Sequence, residues 1–278
     1  MITIKLMGGL GNQMFQYAAA RGLADINNTD VLLDLSWFNQ EFDVNTTARE
    51  YELNCFKLDN ISSKFTGSFS QRVAHKFAKK YREPHYHYDS SVRHLPKNTE
   101  LFGYFQSEKY FLHSRDRLLT DFTWAKPAMG KNTKLLNKIS ADVSSVSIHV
   151  RRGDYITNDA AAKFHGTANV KYYLAAVSKL ATQVKAPHLY IFSDEPDWCS
   201  RHLKFSYPTE YISHNTVGSE DMRLMVHCRH NIIANSSFSW WGAWLNQNPK
   251  KVVIAPKVWF AHKESNTNDV VPKSWQRI

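Results

Sequence analysis

Short apolar segments alternate with helical segments through the second half of this chain, and this alternation restricts its possible folds more than any other feature. Strand character appears at 143–150, 188–192, 231–234 and 251–255. Between these segments, 169–184 and 220–229 repeat apolar side chains with the period of a helix. Strands joined by helices form parallel sheets, because a parallel connection needs a crossover. The pattern therefore predicts an α/β fold.

The first residues show the same pattern. Residues 2–6 alternate apolar and polar side chains like a strand, and 8–13 read Gly-Gly-Leu-Gly-Asn-Gln. A helix is expected from about 14 to 26, and 31–34 form the next predicted strand. Such a turn brings backbone N–H groups close to an anion, although a tight turn without a ligand explains the spacing equally well. The amide of Asn12 can both donate and accept at the mouth of this turn.

Three polar segments, 149–154, 193–195 and 235–239, each follow a predicted strand of the second half. Ligands of parallel sheets bind where the strands end, so we expect these segments to share one edge. The first segment reads His-Val-Arg-Arg-Gly-Asp. Adjacent arginines at a strand end suit a doubly charged, oxygen-rich ligand such as a diphosphate. The alternative is an Arg–Asp ion pair that serves the structure alone.

The side chains of Arg151 and Arg152 should diverge, because successive residues of an extended strand face opposite ways. One is expected to meet phosphate, while the other pairs with Asp154 or supports a neighbouring loop. Asp194 follows a buried strand, where a carboxylate can accept hydrogen bonds from a guanine base or bond a ribose. Its alternative role is to cap the helix that follows.

The segment from 235 to 239 is rich in serine and is expected to open a helix. Ser236 and Ser237 can cap that helix or bind an anion at its start. Capping explains one serine well, so the second favours a ligand. The tryptophans that follow (Trp240, Trp241 and Trp244) are expected to pack in the core.

The composition narrows the functional classes. The net charge of +10, from 35 Lys+Arg against 25 Asp+Glu, favours anionic partners. The basic residues are scattered, which argues against a nucleic-acid-binding arm. Three cysteines without a C-x-x-C pair favour reduced thiols. No apolar run approaches the roughly 20 residues that span a bilayer. We therefore expect a cytoplasmic protein, with peripheral contact to the inner membrane left open.

Metal-binding patterns are missing where a diphosphate would need them. No two aspartates lie two residues apart, so no D-x-D pair can hold a divalent ion against a diphosphate. Arginines and backbone amides would then have to offset the charge, which predicts metal-independent chemistry with the diphosphate as leaving group. His85 and His87 fit no standard metal spacing and are expected in an exposed or acceptor-facing loop.

Residues 149–155, His-Val-Arg-Arg-Gly-Asp-Tyr, resemble the H-x-R-R-G-D-Y signature of the α-1,2-fucosyltransferases of glycosyltransferase family 11. Residues 8–13 resemble the opening motif of that family, and 235–243 resemble its C-terminal motif. The resemblance covers nearly the whole chain in order, and only 40–98 carries no motif that aligns. The chain looks like the compact bacterial members, which decorate surface polysaccharide repeat units.

The resemblance implies a GT-B fold, with two Rossmann-like domains facing a cleft. Residues 1–130 would form the acceptor-side domain and 131–278 the GDP-fucose-binding domain. The implied reaction is inverting, metal-independent transfer of L-fucose from GDP-fucose to the 2-hydroxyl of a galactose in a glycan, without a cofactor. A fucosyltransferase of another linkage, such as α-1,6, and a basic nucleic-acid-binding protein are the alternatives.

The resemblance also assigns roles to the residues of the central motif. Arg151 would contact the β-phosphate and stabilise departing GDP. His149, Arg152 and Asp154 would shape the same site, and Asp194 would contact guanine.

Further roles fall on other parts of the chain. The diphosphate and base would also be held by Asn235, Ser236, Ser237 and Phe238. Asn12 would approach the donor from the N-terminal domain, and it completes the predicted catalytic set with Arg151 and Asp154. The general base is left open among Asp154, Asp159 and Glu220, since spacing does not choose between them.

Overall fold

The computed structural model describes residues 1–41, 47–58, 61–65, 78–153, 166, 168–262 and 266–278. The chain divides into two compact units, Met1–Lys126 with Ser265–Pro272 and Pro127–Glu264 with Lys273–Ile278. The division falls slightly before the expected boundary after residue 130. The return of a late segment to the first unit had no signal in the sequence. Asp269 ties that segment in place, because its carboxylate accepts hydrogen bonds from Lys109 and from the Tyr88 N–H.

The first unit is built on a parallel sheet with the strand order β3-β2-β1-β5-β4. Its strands are β1 (Ile2–Lys5), β2 (Val31–Asp34), β3 (Ile61–Phe65), β4 (Lys79–Arg82) and β5 (Thr99–Phe102). The helices among its described residues are α1 (Leu10–Ile26) and α2 (Arg115–Asp121). Short 3₁₀ turns occur at Ser36–Asn39, Leu53–Cys55, Ser90–His94, Glu108–Tyr110 and Leu112–Ser114.

Helix α1 lies against the central strand β1 and is buried along most of its length. It begins at Leu10, earlier than the predicted start near residue 14, because the N–H groups of Asn12 and Gln13 both donate to the carbonyl of Gly9. Asn12 therefore lies in the first turn of the helix. Gly22 permits close packing, since a Cβ there would come within 2.5 Å of the Tyr110 carbonyl oxygen.

The second unit contains a parallel sheet with the strand order β11-β10-β9-β6-β7-β8. Its strands are β6 (Ser145–Val150), β7 (His188–Ser193), β8 (Thr209–Ile212), β9 (His230–Ile232), β10 (Val253–Ala255) and β11 (Gln276–Arg277). The helices among its described residues are α3 (Lys131–Ala141), α4 (Val170–Ala181), α5 (Pro196–His202), α6 (Gly218–His227) and α7 (Ser237–Leu245).

The α/β prediction is confirmed, with corrections to individual elements. The polar residues 131–134, which follow Pro127 and Gly130, predict a linker, but they begin helix α3. The sequence from Ser107 and Glu108 to Thr120 predicts a single helix, but the structure has two 3₁₀ turns followed by α2 there. Helix α5 and strand β8 were not predicted, and neither was β11, which follows the predicted strand at 251–255. No helix in the described part of the chain is both long and apolar enough to cross a membrane.

Strand β6 forms the centre of the second unit, and all six of its residues are buried. Val146, Ile148 and Val150 pack on one face with residues of α4, so Ser147 and His149 lie on the opposite face. The tryptophans of α7 confirm the core prediction, since Trp240, Trp241 and Trp244 are 0%, 0% and 2% exposed. Each buried indole removes roughly 200 Å² from water, on the order of 5 kcal/mol of favourable burial.

Candidate functional site

The polar segments of the second unit meet at the carboxyl edge of its sheet. Strand β6 lies between β9 and β7, so the residues that follow these three strands lie side by side. The predicted gathering of the three segments at one edge is thus confirmed. Asp154 and Asp159 fall outside the described residues, so the predicted roles of both aspartates remain predictions.

Asp194 holds the turn that follows β6. Its Oδ2 lies 2.8 Å from Nη1 of Arg151, and its Oδ1 accepts the backbone N–H of Arg152 at 3.0 Å. A Cβ on Gly153 would lie 2.7 Å from the same Oδ2, so the carboxylate approaches closely only because residue 153 is glycine. Asp194 does not occupy the N-cap position of α5, which belongs to Glu195. Asp194 is the predicted guanine contact, and both of its carboxylate oxygens already bind donors of the turn after β6.

Arg152 turns away from Arg151, as the alternation of side chains along a strand predicts. Its Nε lies 3.2 Å from Oε2 of Glu195, and its guanidinium carbon lies 3.6 Å from the centre of the Trp198 ring. The ion pair and the cation–π contact together fix Arg152 against α5. Its described acidic partner is thus Glu195, where the sequence suggested Asp154. Arg151 keeps 23% of its side-chain surface exposed at the sheet edge.

His149 is buried at the end of β6, with 6% of its surface exposed. Burial lowers the pKa of His149 to about 4, and the positive charge of Arg151 acts in the same direction while Asp194 opposes it. The imidazole is therefore neutral at pH 7. Its ring centre lies 5.3 Å from that of Phe238, and its Nδ1 has no hydrogen-bond partner within the described ranges. An unsatisfied buried nitrogen costs about 1–3 kcal/mol and favours a polar ligand or water there.

Helix α7 begins beside this histidine without a side-chain cap. Ser236 occupies the N-cap position, but its hydroxyl makes no capping hydrogen bond. Its carbonyl oxygen accepts the N–H of Trp240 at 3.0 Å and the hydroxyl of Ser239 at 3.3 Å. The predicted capping position is therefore right and the predicted capping bond is absent from the described residues. Ser237 is half-buried at the first helical position, where backbone N–H groups and the helix dipole favour an anion.

Asn235 belongs to the segment 235–239 and also makes hydrogen bonds to other loops of the second unit. Its side-chain Nδ2 donates to the carbonyl oxygens of Gly166 and Trp259, both at 3.2 Å. These bonds tie the turn before α7 to two other loops of the same unit.

The glycine turn of the first unit differs from this arrangement. Gly8 adopts the left-handed region at φ 75°, and the Leu10 N–H that follows donates to Oε2 of Glu52 at 2.9 Å. Gln13 donates to the carbonyl oxygens of Gly8 and Glu50, both at 2.8 Å. A carboxylate of the protein thus already occupies the start of α1, which agrees with a turn that needs no ligand.

Glu220, one of the three predicted general bases, is engaged within the second unit. Its Oε1 lies 3.0 Å from Nη2 of Arg223, and its Oε2 accepts from Nδ2 of Asn132 at 3.1 Å. Because both oxygens already bind donors, Glu220 is poorly placed to take a proton from a substrate hydroxyl.

Asp221 follows Glu220 on α6 and was not among the functional residues predicted from the sequence. Burial raises the pKa of Asp221 to about 6, and the negative charge of Glu220 adds to this effect. Asn215 donates to its Oδ1 at 2.7 Å. The helix start that carries Asp221 packs near Phe238, since a Cβ on Gly218 would lie 3.5 Å from that ring. A buried carboxyl group with a raised pKa beside a ligand edge is a candidate functional group.

No metal-binding cluster occurs in the parts of the chain with assigned positions: no three His, Cys, Asp or Glu side chains there are grouped for an ion. The rings of His85 and His87 stack with centres 3.4 Å apart, and His85 Nδ1 lies 2.9 Å from the His87 carbonyl oxygen. The two imidazole rings therefore contact each other, which agrees with the prediction that His85 and His87 lie in a loop.

Comparison with known proteins connects this site to a family. The model of glycosyl transferase family 11 matches residues 1–278. An α-1,2-colitosyltransferase of Escherichia coli is 34% identical over all of this chain and 98% of its own length. The galactoside 2-α-L-fucosyltransferase Sec1 of Mus musculus is 25% identical, over 88% of this chain and 64% of its own length.

A solved structure agrees at the level of the fold. The crystal structure of the NodZ α-1,6-fucosyltransferase soaked with GDP-fucose aligns with 88% of this chain and 92% of its own, with a TM-score of 0.50 and 14% sequence identity. The two parallel-sheet units thus have the GT-B fold that was predicted. The match over the full length shows that this chain belongs to glycosyltransferase family 11.

Proposed function

We propose that this enzyme transfers L-fucose from GDP-fucose to the 2-hydroxyl of a galactose in an oligosaccharide or polysaccharide repeat unit. The observation that carries the proposal is Arg151, ion-paired to Asp194 at 2.8 Å, at the same sheet edge as the uncapped start of α7. Membership of family 11 and the name of the Sec1 relative support fucose and the α-1,2 linkage. Membership of a glycosyltransferase family argues against the nucleic-acid-binding alternative.

The proposed chemistry separates a diphosphate from a sugar. The bond between C1 of fucose and the β-phosphate oxygen breaks, and its electron pair leaves with GDP. The acceptor O2 forms the new bond from the opposite face, which inverts C1, and its proton is released. Negative charge grows on the β-phosphate as the bond breaks, so a guanidinium and helix N–H groups placed there stabilise the transition state more than the ground state.

Each proposed donor contact has a physical basis in the second unit. Arg151 supplies the cation, and Asp194 fixes its direction. The first turn of α7, from Ser236 to Phe238, offers N–H groups to the diphosphate. His149, neutral and with a buried Nδ1 that lacks a described partner, can bond a polar group of the nucleotide.

The acceptor proton has two remaining candidates from the sequence. The hydrogen bonds of Glu220 argue against it, which leaves Asp154 and Asp159 to be tested by Asp→Asn variants. A base that acts in the transition state contributes roughly 10²- to 10⁴-fold. The variant of the true base should lose activity to that extent, whereas the other should lose less.

GDP-colitose is a second candidate donor, and a specific observation favours it. The E. coli relative that is 34% identical carries the name α-1,2-colitosyltransferase. Colitose is L-fucose without its 3-hydroxyl, so a site for one sugar ring can hold the other. The α-1,6 linkage of the NodZ structure has weaker support, since that likeness at 14% identity concerns the fold.

A transfer screen separates these proposals. The purified protein is given GDP-fucose or GDP-colitose with lactose, N-acetyllactosamine, Galβ1,3GalNAc or Galβ1,3GlcNAc, and product linkage is read by NMR. We expect an α-1,2-fucosylated galactoside, with turnover unchanged in excess EDTA. Transfer from GDP-colitose alone would move the assignment to the second donor. A 1,6-linked product, or strict dependence on added Mg²⁺ or Mn²⁺, would contradict the linkage or the metal-free mechanism.

A further inference from the structure

Two side-chain amides meet at the carboxyl edge of the first sheet. Asn12 lies in the first turn of α1, and Gln106 follows β5, the neighbour of β1 in the sheet. Nε2 of Gln106 donates to Oδ1 of Asn12 at 2.9 Å. On its other side the Asn12 amide packs against Gly8, where an added Cβ would lie 2.8 Å from Nδ2. The Asn12 amide is thus held from two sides, with its N–H₂ group left as the donor.

The loop that carries Gln106 is strained. Phe105, directly before it, has φ 51°, a backbone region that non-glycine residues rarely adopt. Glu83 holds this conformation, because its carboxylate accepts the N–H of Tyr104 at 2.7 Å and the N–H of Phe105 at 3.0 Å. Gly103 allows the approach, since a Cβ there would lie 2.4 Å from Cβ of Glu83. Strain held by surrounding contacts concentrates at ligand sites.

Gln106 also carries an unsatisfied acceptor. The residue is 8% exposed, and its Oε1 is buried without a hydrogen-bond partner among the residues that the structure describes. Such an oxygen needs a donor. A diphosphate offers acceptors at neutral pH, whereas a hydroxyl can donate. A hydroxyl would also satisfy the amide if its oxygen and nitrogen were exchanged, because it can accept as well. A sugar hydroxyl therefore fits this position in either orientation of the amide, whereas a phosphate oxygen fits in only one.

We infer that Gln106 is a specificity-determining residue that binds one sugar hydroxyl and positions the Asn12 amide beside it. The inference rests on the proposed function, because the sugar would be either the acceptor galactose or the deoxy sugar of the donor. Both sources present the same hydroxyl chemistry, so the test must separate them. Three features support it: the amide pair, the strained Phe105 and the buried Oε1 without a partner among the described residues.

The variant Gln106→Met keeps the length of the side chain and removes its hydrogen bonds. The substrates are galactosides lacking the 3-, 4- or 6-hydroxyl, and GDP sugars lacking the 2-, 3- or 4-hydroxyl, with GDP-colitose as the 3-deoxy member. Gln183→Met is the matched control, since Gln183 also pairs with a second glutamine amide, Gln276, but on an exposed surface. GDP affinity is measured separately by calorimetry.

We expect Gln106→Met to raise the KM for one sugar substrate roughly ten-fold, the worth of one buried hydrogen bond. One deoxy substrate should show the same loss with the wild type and no further loss with the variant. Its identity assigns the hydroxyl to acceptor or donor. GDP affinity and the control variant should be unchanged. Additive losses with every deoxy substrate, an equal fall in GDP affinity, or wild-type kinetics would overturn the inference.

A measurement of sugar binding that does not depend on turnover separates this inference from the proposed function. Saturation-transfer NMR with a free galactoside and with each GDP sugar detects binding directly. Sugar binding that depends on Gln106, in a protein that transfers neither donor sugar, would reject the function and keep the site. Wild-type transfer with no effect of Gln106 would reject the site alone. If Gln106→Met lowers the Tm, Gln106→Glu is the second variant, because it keeps an acceptor oxygen. It should retain more sugar affinity than Gln106→Met. Equal loss of sugar affinity in both variants would count against a hydroxyl contact.

Discussion

The two units each contain a strand that turns into a helix, yet the two helix starts are chemically opposite. At the start of α1, the carboxylate of Glu52 accepts the Leu10 N–H at 2.9 Å. At the start of α7, Ser236 makes no side-chain cap, and Arg151 directly follows the neighbouring strand β6. The backbone geometry attracts anions in both places. The difference teaches that the rest of the fold decides whether a helix start binds its own carboxylate or can bind a ligand.

The largest effect is expected from removing the positive charge of Arg151 at the sheet edge beside α7. Arg151→Ala should lower transfer by roughly 10²- to 10³-fold, because the growing charge of the leaving diphosphate loses its guanidinium. Circular dichroism should remain that of the wild type. Arg93→Ala, which removes an exposed arginine from a 3₁₀ turn of the first unit, is the control and should keep full activity. Transfer at the wild-type rate by Arg151→Ala would end the phosphate assignment.

The same contrast shows what a sequence can and cannot reveal. The strands β1 and β6 were predicted because apolar and polar side chains alternate along them, and β7 was predicted because it contains a continuous apolar run. Strand β8, with the sequence Thr-Glu-Tyr-Ile, lies at a sheet edge and has only one buried residue, so its apolar signal is weak. Helix α3 was missed for a similar reason, since its first turn reads Lys-Asn-Thr-Lys and looks like a linker.

The site shows the same limit. The gathering of three polar segments at one edge could be predicted, because the topology of a parallel sheet requires it. The partners could not be, since no local pattern pairs Asp194 with the turn containing Arg151 and Gly153. Glu52 comes from a stretch whose sequence indicated no element. Pairings between distant segments are set by packing, which local patterns do not encode.

Acid should destabilise the second unit through His149. Its pKa is about 6.5 when unfolded and about 4 when folded, so the unfolded chain binds the proton first. Stability should therefore fall as pH drops from about 6.5 to 4, by on the order of 3 kcal/mol for this group. His149→Asn should remove that part of the loss in urea unfolding measured between pH 7.5 and 4.5.

Asp221 is a control, because its effect on stability should change with pH in the direction opposite to that of His149. Burial raises its pKa to about 6, so the folded state binds its proton first and gains stability as pH falls through that value. Asp221→Asn should therefore make the wild-type acid loss steeper, whereas His149→Asn makes it shallower. Equal slopes for His149→Asn and the wild type would mean that folding does not lower the pKa of His149.

Ser236→Asp would make the second helix start resemble the first. A carboxylate at the N-cap should raise stability by about 0.5–1 kcal/mol, because it caps the helix and complements the dipole. It should also weaken GDP binding about ten-fold or more, since it would occupy the proposed anion site. Calorimetry with GDP and the Tm measure the two effects. Asn169→Asp places a carboxylate at the N-cap of α4, where Asn169 already accepts the Tyr172 N–H, and should leave GDP binding unchanged.

Changes at the start of α1 should have the smallest effect on GDP binding. Glu52→Ala should lower the free energy of unfolding by about 1–2 kcal/mol, because the Leu10 N–H loses its acceptor and the helix loses a favourable charge. Glu52→Gln keeps an acceptor oxygen and should lose less, which separates the hydrogen bond from the charge. GDP affinity should be the same in both variants and the wild type. A rise in GDP affinity in Glu52→Ala would instead show that the first helix start is an anion site closed by its own carboxylate, and the two units would then differ only in what covers them.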